Sequence, residues 1–177
     1  RYMDAGADGG IIPFVNNAST AKKIVDAVKY PPQGKRGVGF ARDNGYGMRI
    51  MQKLENTNDK SFICVQIEHI DGIRNLDEIL NVSGIDAAFI GPYDLSSSMG
   101  IAGNFTHPDF QKASLKFLQC CKKHNTIAGI HVVQPSPDEV IDRLRQGYEM
   151  IAYSLDITFL THSINKGLEQ IKRKMYE

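Results

Sequence analysis

The sequence has almost no excess charge, few cysteines and no long apolar run. Its 177 residues carry 21 Lys and Arg against 20 Asp and Glu, a formal net charge of +1. With both signs interspersed there is no basic stripe for a nucleic-acid backbone or an anionic membrane, so the expected partner is a small molecule or another subunit. Three cysteines, Cys64 and the adjacent pair Cys120-Cys121, are an odd number without framework spacing. That excludes a disulfide scaffold and fits a reducing, cytoplasmic setting. No apolar stretch reaches the ~18 residues of a membrane span, and no signal-type pattern opens the chain. The chain starts at Arg1 in what reads as the middle of a helix, so the natural N-terminus is expected upstream.

What is present is the composition of an ordinary globular protein, 42% hydrophobic and 23% charged, long enough for one domain over 1–177 with a sizeable core. Residues 1–6 read as a helix end closed by Gly6, and residues 9–15 as a short buried strand. Ala21, Ile24, Val25 and Val28 mark the apolar face of a helix that stops before Tyr30-Pro31-Pro32. Residues 33–47 form a loop rich in glycine and arginine. It lacks the Gly-Lys-Ser/Thr ending of a phosphate-binding loop and reads as a surface loop used for packing or a subunit contact. A helix over residues 48–55 and a polar connection over 56–60 lead to a near-continuous apolar strand, 61–68.

Ile73, Leu76, Ile79 and Leu80 fall at helical spacing with Gly84 as terminator, and a second apolar strand covers 87–91. His107-Pro108-Asp109 starts a helix running to about residue 125, followed by a strand over 127–133. Ser136-Pro137-Asp138 starts another helix, a last strand covers 149–155, and Asp156 caps a final helix to about residue 174. Five strands alternating with helices indicate an α/β fold of parallel βα units. A closed (β/α)8 barrel needs eight units and typically about 250 residues. This chain is thus expected to supply about the last five, with three units upstream. Five units alone would leave two parallel edges unpaired, so the natural protein is expected to be longer.

Two strands lead to carboxylates, Val65-Gln66-Ile67-Glu68 and Phe89-Ile90-Gly91-Pro92-Tyr93-Asp94. In parallel α/β folds the carboxyl ends of strands converge on one face, where sites are built. Glu68 and Asp94 are therefore candidates to share a metal, against a reading as helix-capping or salt-bridged acids. His131, near the end of its strand, either lines that pocket or is a satisfied structural histidine. His69 is expected to face away from Glu68. His107, His124 and His162 read as surface or capping residues at helix ends.

Pro13-Phe14-Val15, Tyr30-Pro31-Pro32 with Gly34 and Arg36-Gly37-Val38-Gly39, Val65-Gln66-Ile67-Glu68, and Phe89-Ile90-Gly91-Pro92-Tyr93-Asp94-Leu95-Ser96 with Gly103-Asn104 and His107-Pro108 together resemble the HpcH/HpaI family. These are class II aldolases that cleave 2-oxo-4-hydroxy acids, the name compound being 2,4-dihydroxyhept-2-ene-1,7-dioate. The resemblance implies that this chain corresponds to barrel strands four to eight, with the family's catalytic histidine and arginine upstream of Arg1. It implies that Glu68 and Asp94 bind a divalent ion, Mg²⁺, Mn²⁺ or Co²⁺, which stabilises the enolate of a pyruvate unit when the C3–C4 bond breaks.

It also implies that the backbone N–H groups of Tyr93 and Asp94 receive the pyruvate carboxylate and that Gln66 orients the oxo acid. The products would be pyruvate and a small aldehyde. Family members commonly assemble as hexamers that exchange the last helix, which implies a homo-oligomer. Two alternatives stand beside the aldolase: a CoA-thioester lyase resembling the citrate lyase β subunit, and a non-catalytic barrel fragment acting as an assembly partner.

Overall fold

In the computed structural model, which describes residues 1–176, five strands form one sheet in chain order, every neighbouring pair parallel. They are β1 (Gly9–Ile12), β2 (Phe62–Ile67), β3 (Ala87–Ile90), β4 (Ile127–Val132) and β5 (Met150–Tyr153). The helices are α1 (Ala18–Val28), α2 (Ile50–Lys60), α3 (Ile70–Arg74), α4 (Leu76–Leu80), α5 (Pro92–Ser98), α6 (Pro108–His124), α7 (Pro137–Gln146) and α8 (Asp156–Tyr176). Parallel crossovers have one hand, so a sheet in chain order collects its helices on one face and curls away from them. The result is the half-barrel expected from the alternation of strands and helices.

The strand pleat sorts residues between two faces. Val65, Ile67, Ala88, Ile90, Ala128 and Ile130 turn towards the helices and join Leu76, Ile79, Leu95, Phe110 and Phe117 in the main core. The alternate residues Cys64, Ala87 and Phe89 form a small second cluster on the concave face, against Met150 and Ala152. Phe89 can lie across β4 only because Gly129 is there. A Cβ at that position would come within 2.6 Å of the Phe89 ring and 2.8 Å of Met150 Cε.

Local chemistry explains most boundaries. Asn17 caps α1 by accepting the Thr20 N–H at 2.8 Å. Ser136 accepts the Glu139 N–H to start α7, and Gly147, at φ 103, ends it. Asn125 supplies the left-handed turn that ends α6.

Several expectations need correction. Residues 1–7 are hydrogen-bonded turns rather than a helix end, although Gly6 does take a positive φ. The segment 56–60 is not a connection but the last turns of α2. Its polar side chains are consumed by the fold: Thr57 Oγ1 donates to Lys53 O, and Asn58 bonds both the N–H and the C=O of Tyr30. Tertiary partners here override weak helix propensity. The helix expected from Ile73 to Leu80 is two helices, broken at Asn75, whose amide donates to Asn16 O at 2.9 Å.

The glycine-rich segment 33–47 is largely exposed, as expected of a surface loop used for packing, and it also carries a buried ion pair. The Arg36 side chain, 6% exposed, lies 3.0 Å from Asp43 Oδ2 and 2.6 Å from Asp4 Oδ1. Its guanidinium also stacks 4.6 Å from the Tyr30 ring centroid. The Asp43 side chain is 1% exposed and its other cation, Lys53 Nζ, stands off at 3.8 Å, so losing Arg36 would leave a desolvated charge poorly compensated. Arg36→Ala is expected to lower unfolding stability by about 3 kcal/mol in urea titrations, an order-of-magnitude value for a broken buried pair. A change within experimental error would show that the pair is not desolvated in solution.

Candidate functional site

β2 ends at Ile67 and hands Glu68 to the carboxyl end of the sheet. Glu68 is 4% exposed, and a buried carboxylate is costly unless hydrogen-bonded. Its Oε1 accepts the Phe14 N–H at 2.9 Å, and its Oε2 accepts from Gln66 Nε2 at 2.8 Å. Phe14 makes its bond from a left-handed backbone, φ 55, which is uncommon for a bulky residue. The next residue is pinned by Val15 N–H donating to Gln66 O at 3.2 Å. Strain of this kind persists only where neighbours over-determine it.

Asp94 is not at a strand end, as expected, but in the first turn of α5, four residues beyond β3. Pro92 explains why: with φ preset and no N–H to satisfy, proline suits the first helical position. The first intrahelical bond runs from Leu95 N–H to Gly91 O at 2.9 Å. The N–H groups of Tyr93 and Asp94 precede it and have no acceptor within the helix. Ser96 Oγ donates to Tyr93 O and accepts the Gly103 N–H, and the Tyr93 ring meets Phe105 edge-on at 4.9 Å. These contacts fold the following loop onto α5.

Burial raises the Glu68 carboxyl above its ordinary range. The Phe14 N–H opposes that shift, and the nearby Asp94 charge adds to it. Gly91 permits the crowding: a Cβ there would lie 3.1 Å from Gln66 Nε2 and 3.2 Å from Glu68 Oε2. Ile67 pairs with Ile90, and Ile90 with Ile130. One residue further along, Glu68, Gly91 and His131 stand abreast, with His131 level with Ala152. Two strand spacings, about 10 Å, thus separate the Glu68 and His131 backbones, with a side-chain-free glycine between them. His131 is half-buried, its Nε2 3.4 Å from Ser154 O.

The remaining candidates lie elsewhere. His69 caps α3 and His107 caps α6, each accepting an N–H two residues on. His124 closes α6 beside Asp77. His162 lies inside α8 rather than at a helix end. Asp156 accepts the Ile157 N–H at 2.7 Å. The residue that sequence reasoning overlooked is Phe14, because nothing in its type signals a left-handed backbone or a bond to an acid 54 positions away.

Residues 1–163 match the family model described as HpcH/HpaI aldolase/citrate lyase. The chain belongs to that family. It is 36% identical over 174 residues to the 2-keto-3-deoxy-L-rhamnonate aldolase of Escherichia coli (strain K12), covering 97% of this chain and 64% of that protein. An HpcH/HpaI aldolase from Desulfitobacterium hafniense DCB-2 superposes with TM-score 0.85 at 31% identity, over 96% of this chain and 66% of that one. An HpcH/HpaI aldolase/citrate lyase family protein from Burkholderia cenocepacia J2315 gives TM-score 0.89 at 28% identity, over 96% and 67%.

For this HpcH/HpaI family member, the Glu68 environment has a pH signature. A carboxyl whose pKa is raised by folding favours the fold while protonated. That contribution is complete below the unfolded value and is lost as pH rises through the folded one. With a chelator present, the parent is therefore expected to gain melting temperature relative to Glu68→Gln as pH falls from 7 to below about 4. A difference between the two proteins that does not move with pH would contradict the burial argument.

Proposed function

We propose that the protein of which this chain is part is a divalent-metal-dependent aldolase, a carbon–carbon lyase. It reversibly cleaves a 2-oxo-4-hydroxy (2-oxo-3-deoxy) acid to pyruvate and a small aldehyde. The observation that carries this reading is the buried Glu68 carboxylate at the carboxyl end of β2, held by Phe14 and Gln66 and sensing the charge of Asp94, which is exposed in the first turn of α5. Two acids held together without a cation repel each other, and oxygen donors with open positions suit Mg²⁺, Mn²⁺ or Co²⁺. Each Glu68 oxygen keeps a further lone pair beyond its bonds to Phe14 and Gln66. When bound, the ion supplies Lewis acidity towards the keto oxygen of the oxo acid.

The chain's own residues do the rest. The N–H groups of Tyr93 and Asp94 are donors for the substrate carboxylate. Gln66, on the concave face, holds Glu68 in orientation and reaches the oxo acid. Fixed donors of this kind need no reorganisation as charge develops. His131 lines the opposite wall across Gly91, where it meets the aldehyde portion. The relative in E. coli, named as an aldolase for a 2-keto-3-deoxy acid, supports the substrate class.

The chain spans 64% of the length of the aldolase relatives it matches, so its acid-base partners are assigned to the remainder of the barrel. α8 supports assembly into a homo-oligomer: Ile157, Leu160, Ile164, Leu168, Ile171 and Met175 make an exposed apolar stripe at spacings of three and four. All three cysteines are free and buried, and no helix among the described residues is long and apolar enough to cross a membrane. The free thiols support a cytoplasmic location.

The test is pyruvate release from a panel of 2-oxo-3-deoxy acids by the full-length protein. Activity is expected to need Mg²⁺ or Mn²⁺ and to fall at least about a hundredfold in Glu68→Gln and in Asp94→Asn, since even outer-shell changes cost 10–100-fold. Unchanged activity in both variants would remove the mechanism. Inhibition by CoA esters with no cleavage of oxo acids would favour a citrate-lyase-like reaction instead.

A further inference from the structure

A second group of metal-competent donors lies in the helical layer, away from the strand ends. Cys120 and His124 are one turn apart on α6 and share a face. That face meets α4, whose second residue is Asp77. Cys120 Sγ lies 3.8 Å, and His124 Nε2 2.7 Å, from Asp77 Oδ1. All three ligand atoms fall within 4.8 Å of one another. Sulfur, imidazole nitrogen and carboxylate oxygen together make a mixed set suited to zinc, whereas the Glu68 and Asp94 pair offers oxygen alone.

We propose that Asp77, Cys120 and His124 form a second divalent-metal site, selective for Zn²⁺ and chemically similar ions, which staples α4 to α6. It is independent of the aldolase reading.

The geometry fits with small movements. Tetrahedral zinc with bond lengths of about 2.0–2.3 Å places its ligand atoms roughly 3.3–3.8 Å apart. The thiol and carboxylate are already at that separation, and the imidazole must withdraw by roughly 0.6 Å to reach it. Asp77 and Lys123 are 60% and 63% exposed, so the carboxylate can adjust and the Lys123 ammonium that now bonds it can swing into solvent. On binding, the Cys120 thiol releases its proton to solvent, and the proton on His124 Nε2 that now faces the Asp77 carboxylate must leave that nitrogen, so that the bound ring is neutral and carries its one proton on Nδ1. Three protein donors leave a fourth position for water. Cys120 is 8% exposed, so its thiol meets the ion at the inner edge of the helical layer.

Cobalt(II) separates this site from the strand-end one, because only a thiolate ligand gives a near-ultraviolet sulfur-to-cobalt charge-transfer band. The full chain, stripped of metal, is titrated with Co²⁺ and then with Zn²⁺. One equivalent of Co²⁺ is expected to develop the band and Zn²⁺ to abolish it. The band should be absent in Cys120→Ser but retained in Cys121→Ser and in Glu68→Gln. Affinity should fall at least about tenfold in His124→Ala and in Asp77→Ala. Lys123→Ala, which removes the competing ammonium at an exposed position, should tighten binding. Zn²⁺ should raise the melting temperature of the parent but not of Cys120→Ser. No thiolate band at excess Co²⁺, a band that survives in Cys120→Ser, or weaker binding in Lys123→Ala would each overturn the proposal.

Discussion

The Glu68 carboxylate is the point on which the strand-end architecture depends. It ties three successive βα units together: it accepts the Phe14 N–H beyond β1, holds Gln66 on its own strand, and rests against Gly91 beyond β3. A desolvated acid requires such partners, and each requires something further. Phe14 must take a left-handed backbone, Gly91 must lack a side chain, and Pro92 must start a helix so that Asp94 comes round to the same place. One buried charge therefore accounts for a strained residue, a glycine and a proline spread over 78 positions of chain, from Phe14 to Pro92.

The two faces of the sheet divide the energetic work. The helical face is apolar and closely packed, and its burial supplies the main driving force for folding. The concave face is thinly packed, with only a small cluster around Phe89 below a polar rim of Gln66, Glu68 and His131. A barrel interior built in layers places chemistry at one end and packing beneath it. The helical layer has its own polar centre at Asp77, where α4 and α6 meet. It lies in a different layer from Glu68 and does not compete with it for partners.

Much of the fold was legible because it depends on local pattern. Apolar runs between polar, glycine or proline segments marked all five strands to within a few residues, and Ser136 and His107-Pro108 marked helix starts. Errors arose where a distant partner decided the outcome. Asn58 looks like a connector residue until both its amide groups are seen on Tyr30, and Asn75 breaks a helix because Asn16 is across from it. Arg36 sits in a segment whose glycines suggest exposure, yet two aspartates and an aromatic ring enclose it.

By itself the sequence determined the order of strands and helices, their parallel pairing, and the delivery of Glu68 to the carboxyl end of β2. These follow from side-chain period and from the stereochemistry of proline and glycine, which act within a few residues. Tertiary structure alone decided that Asp94 approaches from a helix, that Phe14 donates to Glu68, and that Asp77 meets Cys120 and His124. Those contacts join groups 54, 43 and 47 positions apart, and their geometry is set by how whole elements pack rather than by any local pattern.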